Sequence, residues 1–133
     1  MNKTLLSLFA ALIIGFSTAS AGAPAEKSYS FVSSDEEFSL DVKRGVGEVK
    51  LHLTVKDMTQ FDYIVIERSA ENPNYFGRCK YISCNGKQKG GDFNQVDKFP
   101  YAANKDVYYR IKTVSKDGIE RAYPAVLLEA VSN

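Results

Sequence analysis

The chain has 133 residues, with 17 basic and 16 acidic side chains, a single histidine, two cysteines and no tryptophan. That near-neutral balance lacks the clustered positive charge by which a phosphate backbone is first held, so a nucleic-acid binder is not expected. The length suits one domain, which can bury a core without help from a metal or a bridge.

The first residues belong to export. Lys3 precedes the apolar run Leu5 to Phe16, and small residues follow up to Ala19-Ser20-Ala21. A positive start, an apolar stretch too short for a bilayer and an A-x-A site make residues 1–21 a secretory signal peptide, cleaved after Ala21 to expose Gly22. Lys3 is the only charged residue removed, so the remaining 133 − 21 = 112 residues carry 16 basic and 16 acidic groups. No cysteine lies near the cut to accept a lipid, and no second apolar stretch is long enough to insert in a membrane. A monomer in the periplasm or outside the cell is expected.

Residues 22–37 read two ways. Tyr29 to Val32 is either an extra edge strand or part of a linker, because Ser33 to Glu37 interrupts it with turn-forming and acidic residues. From Phe38 the strands are clearer. FSLDV (Phe38 to Val42) and VKLHLTV (Val49 to Val55) both alternate with period two, and Arg44 to Gly47 joins them as a glycine-turned hairpin. Val49, Leu51, Leu53 and Val55 share one face, with Lys50, His52 and Thr54 on the other.

YIVIER (Tyr63 to Arg68) is a third strand, rich in β-branched residues, followed by a turn at Glu71 to Asn74. A fourth runs from Phe76 to Ile82 and is closed by Asn85-Gly86, the dipeptide of type I′ hairpin turns. The polar stretch Lys87 to Asp92 reads as a loop between sheets. Phe93 to Phe99 holds one short strand, Val107 to Val114 the next, and Ala122 to Val131 the last. About seven short strands without a helical stripe predict an all-β antiparallel sandwich.

Tyr109 to Val114 followed by Ser115-Lys116-Asp117-Gly118 resembles strand F and the F–G turn of fibronectin type III domains, members of the Ig-like sandwiches. The likeness extends to a variety found in secreted and surface proteins of bacteria with type IX secretion. Its elements correspond here to Leu51-His52-Leu53, Ile64 to Ser69, Phe76 to Cys79, Asp97 to Pro100, Tyr108 to Lys112 and Asp117-Gly118. The resemblance runs from Phe38 to the C-terminus and implies a fibronectin type III-like domain over 38–133. Leu53 stands where that variety has a core tryptophan. No sorting domain follows the last strand, so the general signal-peptide route to the periplasm is expected.

Alternation gives the two adjacent tyrosines different tasks. Tyr109 is expected inside as a tyrosine corner, its hydroxyl bonded to backbone in the preceding connection. Tyr108 is expected outside, on the face where Arg110 can meet Glu67 as an exposed cross-strand pair.

Sought chemistry is sparse. His52, on a polar strand face, has no nucleophile marked to complete a triad, and with Cys79 and Cys84 it lacks a recognised zinc spacing. Gly45-Val46-Gly47 precedes a strand rather than the helix a dinucleotide loop needs. Asp35-Glu36-Glu37 reads as a solvated acidic turn before it reads as a calcium site. The cysteines stay open. An exported pair suggests a Cys79–Cys84 bridge, yet five steps of extended strand would hold the Cα atoms roughly 16 Å apart, against the 7 Å or so that a bridge tolerates.

No catalytic residue, cofactor or metal is expected. The leading expectation is a non-catalytic exported binding or structural module, its partner another envelope protein or a surface glycan. The alternative is a small carbohydrate-binding module that stacks sugars on outward aromatics. The candidate face is Tyr63, Tyr81, Tyr108 and Arg110.

Overall fold

Alternation along the chain builds nine strands among the described residues. The computed structural model describes residues 28–86, 89–98 and 105–131; the expected signal peptide, its cleavage site and residues 22–27 lie outside that range. The strands are β1 (Ser28–Val32), β2 (Phe38–Gly45), β3 (Glu48–Val55), β4 (Phe61–Ala70), β5 (Gly77–Ser83), β6 (Gly91–Asp97), β7 (Val107–Ser115), β8 (Glu120–Ala122) and β9 (Val126–Leu128). No helix among the described residues is long and apolar enough to cross a membrane.

Two antiparallel sheets stack as a β-sandwich. One has the order β1-β2-β3-β6; the other has β5-β4-β7, with β8 and β9 both on the outer edge of β7. The β2–β3 register runs from Phe38 opposite Val55 to Gly45 opposite Glu48. Val46-Gly47 closes that hairpin. Gly47 has φ +70°, a left-handed conformation that glycine adopts without strain.

The facing surfaces make the core. Leu40, Val42, Val49, Leu51 and Leu53 from one sheet, and Ile64, Ile66, Val107, Tyr109 and Ile111 from the other, are at most 1% exposed. Burying each large aliphatic among them stabilises the fold by roughly 1.5–3 kcal/mol relative to leaving it in water. An aromatic cluster seals one flank: Phe38 lies 5.3 Å from Phe61 and 5.2 Å from Tyr123, and Phe31 of β1 lies 6.1 Å from Tyr123, between ring centroids. That contact is what ties Tyr29 to Val32 down as a strand, paired in register with Ser39 to Val42.

Several elements differ from expectation for local reasons. Instead of about seven strands the described residues form nine, because β1 joins the first sheet and the expected last strand is split. Pro124 has no N–H to donate, so β8 pairs with Lys112 to Val114 and β9 separately with Val107 to Tyr109. Asn85-Gly86 is not a type I′ hairpin turn. Only Gly86 has positive φ, +78°, where that turn needs it at both central residues, and β6 lies in the opposite sheet.

The same strand settles the cysteines. β5 stays extended through Ser83, so Cys79 and Cys84 are held apart and are not bridged. Cys84 is a buried core residue, and Cys79 packs against the core from the strand's edge.

Tyr109 is fully buried, but its hydroxyl donates to the Asp97 carboxylate at 2.7 Å rather than to backbone. Arg68 Nη1 donates to both oxygens of the same carboxylate at 2.6 Å. Asp97 stands opposite Val49 on the inward face of β6, and it is the acceptor that draws the tyrosine away from the expected backbone partner. A charge-assisted bond of this kind is about twice as strong as a neutral one.

Candidate functional site

The outer face of the five-stranded sheet carries the side chains that alternate with its core residues. Along β4 these are Tyr63, Val65, Glu67 and Ser69. Register sets Tyr63 against Ser83 and Val114, Val65 against Tyr81 and Lys112, Glu67 against Arg78 and Arg110, and Ser69 against Tyr108.

At one end of this face the rings of Tyr63 and Tyr81 pair with centroids 5.1 Å apart at 33°, and the Arg78 guanidinium lies 5.5 Å over the Tyr81 ring. Tyr81 is 51% exposed while Val65 beside it is 2% exposed. The tyrosines and neighbouring aliphatic stems shield the valine and present an aromatic surface to solvent.

In the middle, charge is already matched. Arg110 Nε donates to Glu67 Oε1 at 2.7 Å, and Lys112 Nζ lies 3.8 Å from Glu67 and 3.5 Å from Glu120. The Arg110 guanidinium also lies 4.0 Å over the Phe76 ring. The pair expected to be exposed is therefore sunk into the face, with Glu67 only 7% exposed, because Phe76 and Lys112 cover it.

Tyr108 sits at the far end. Six residues of strand separate its partner Ser69 from Tyr63, roughly 20 Å. Of the four residues expected to form one binding face, Tyr63 and Tyr81 come together, Arg110 is engaged by Glu67 and Phe76, and Tyr108 stands apart.

Arg78 was not among them, and the reason is a β-bulge. Ile66 pairs with Lys80 but Glu67 pairs with Arg78, leaving Cys79 as the extra residue. Strict alternation puts Arg78 on the face opposite Tyr81. The bulge reverses the parity, carrying Arg78 outward and Cys79 inward to 3.8 Å from Arg68 Nη1. No feature of the sequence marks that insertion.

The remaining candidates resolve into surface contacts. His52 on the other sheet has Nδ1 3.5 Å from Asp41 and Nε2 3.1 Å from Asp92. Those carboxylates flank opposite ring nitrogens and cannot converge with the imidazole on one ion; among the described residues no group of three or more His, Cys, Asp and Glu side chains could hold a metal. Thr54 donates to Asp92 at 2.9 Å and not to the ring, which is not the geometry of an activated nucleophile. Asp35 accepts from Ser33 at 2.6 Å and from the Glu37 amide at 3.1 Å. These bonds, that from Ser33 foremost, hold its carboxyl below the usual range and close the turn.

Comparison with protein-family models, with curated proteins and with solved structures returns no match to the chain.

Proposed function

We propose that the chain is a non-catalytic, exported binding module of the periplasm or cell surface, which meets an envelope partner through the outer face of its five-stranded sheet. The observation that carries this reading is the exposed Tyr81 ring, held in place by Tyr63 and Arg78 beside it. A ring already fixed by its neighbours loses little freedom on contact, and tyrosine and arginine are the residues that most often anchor interfaces. A fibronectin type III-like identity belongs to the same proposal. It is supported by three strands, β2-β3-β6, stacked on β5-β4-β7 with a split last strand, and by the Tyr108 to Lys112 motif. Fold alone assigns no role, so the face must be tested directly.

The test is sedimentation of the purified protein with the envelope fraction of the cells that make it. The wild type is expected to sediment, and a Tyr63→Ser, Tyr81→Ser double variant to remain in the supernatant. Equal sedimentation of the two overturns the assignment of this face. Edman sequencing of the envelope-associated protein is expected to begin at Gly22, and an intact Met1 terminus overturns export by cleavage.

A further inference from the structure

Three cations line the outer face of the five-stranded sheet, and they are not equivalent. Arg110 and Lys112 are matched by Glu67 and Glu120. Arg78 stands directly opposite Glu67 in register, yet that carboxylate is taken from the other side by Arg110. Among the described residues no carboxylate forms an ion pair with Arg78; it rests on the Tyr81 ring alone.

The geometry of that rest matters. At 5.5 Å from the centroid the Arg78 guanidinium lies beyond face-to-face contact and Tyr81 stays 51% exposed, so much of the ring is open while the planar fork of N–H groups is free to meet a carboxylate with two parallel bonds. The neighbouring Tyr81 ring offers a different complement. Its negative π face suits the axial C–H groups on one side of a pyranose, whose hydroxyls meanwhile stay in water. Tyr63, its ring centroid 5.1 Å away, fixes the tilt. A ligand matching both features is apolar on one ring face and carries an equatorial acid at the rim.

We propose that Tyr81, backed by Tyr63, and Arg78 bind an acidic polysaccharide, one uronic-acid ring stacking on Tyr81 with its carboxylate against the Arg78 guanidinium. This rests on the outer-face reading above and adds the ligand class. A flexible acidic peptide would satisfy Arg78 but would leave the aromatic platform uncovered, so a glycan uses more of what the bulge has brought together.

The experiment uses the purified protein with soluble polygalacturonate and alginate, with fully methyl-esterified polygalacturonate as the neutral counterpart and poly-L-glutamate as the acidic peptide. With no tryptophan in the chain, tyrosine emission reports binding, and retardation in polysaccharide-containing gels gives a second readout. The wild type is expected to bind the uronic-acid polymers. Tyr81→Ala and Arg78→Gln should each weaken that binding about tenfold or more, as loss of a hot-spot anchor does, while Asn94→Ala on the opposite sheet leaves it unchanged. Equal binding of the esterified polymer overturns the acid contact, and equal binding of poly-L-glutamate overturns the sugar. If neither uronic-acid polymer binds while the double tyrosine variant still loses envelope sedimentation, this inference falls and the outer-face reading stands. If sedimentation is also unaffected, both fall.

Discussion

Arg68 on a central strand of one sheet and Asp97 on an edge strand of the other meet inside the sandwich, with Nη1 2.6 Å from each carboxylate oxygen. Asp97 is 5% exposed, so its charge is compensated by Arg68 and by the hydroxyl of Tyr109 rather than by water. Removing one partner of a fully buried pair costs roughly 3–5 kcal/mol; the Arg68 side chain is 26% exposed and can turn to water once Asp97 is gone, which puts the loss at the lower end. Asp97→Ala also orphans the Tyr109 hydroxyl. Urea denaturation of Asp97→Ala is therefore expected to show a loss within that range. A loss below about 1 kcal/mol, typical of an exposed pair, would mean the two sheets are not held at this point.

The adjacent tyrosines give a second contrast. Tyr109→Phe removes a donor from a buried carboxylate that still keeps Arg68, so a loss of about 1–3 kcal/mol is expected. Tyr108 is half-buried on the outer face, and its →Phe variant should stay within about 0.5 kcal/mol of wild type. The Tyr109→Phe cost should shrink when Asp97 is already alanine, since the two groups then no longer interact. Equal midpoint shifts for the two phenylalanine variants would contradict the register of β7.

How far the sequence could be read follows from where the information lies. Val49 to Val55 and Val107 to Val114 alternate over enough residues to fix their buried faces without reference to anything else, and Glu67 and Arg110 followed from that alternation as cross-strand partners. Three features needed the second sheet or a distant residue. Asp97 resembles a surface aspartate until Arg68 and Tyr109 are brought to it by stacking. β1 is short and half polar, and it is held by Phe31 against Tyr123. The bulge at Cys79 changes which face Arg78 occupies, and a one-residue slip of that sort is invisible to a period of two. The candidate site depended on that slip, so only its tyrosines could be named beforehand.

Cys79 carries a prediction on pH. Burial, reinforced by the charge of Asp97, pushes its thiol from an ordinary 9.0 up to about 11. An unfolded chain would release that proton near 9.0 while the folded chain retains it until about 11, so the unfolded state binds fewer protons across this window and stability falls as pH rises through it. Tyr109 is raised in the same direction by burial and by its bond to Asp97. Wild-type stability should accordingly decline between pH 9 and 11, and the decline should be shallower in Cys79→Ala, where only the tyrosine contribution remains. Identical slopes would show that the thiol is not held in this environment. Thiol titration of the unfolded protein should count both cysteines.

The last prediction concerns the passage from β5 to β6, where the chain changes sheets. Gly90 lies so close to the end of β3 that a Cβ placed on it would collide with the carbonyl oxygens of Val55 and Lys56. These are backbone atoms and cannot swing aside as a side-chain tip would. Val55 is itself 1% exposed and paired with Phe38 and Gly91, so relief must come from moving the crossover. Gly90→Ala is expected to destabilise the domain by about 1–3 kcal/mol, the usual range for overpacking, even though alanine restricts the unfolded chain and would otherwise favour folding by about 0.4–1 kcal/mol. Gly77 is a suitable control: it is exposed, has no atom within 4 Å of a built Cβ, and its φ lies outside the positive region. Gly77→Ala should be neutral or slightly stabilising. A denaturation midpoint for Gly90→Ala at or above that of Gly77→Ala would mean that the crossover does not pass beneath the end of β3 as described.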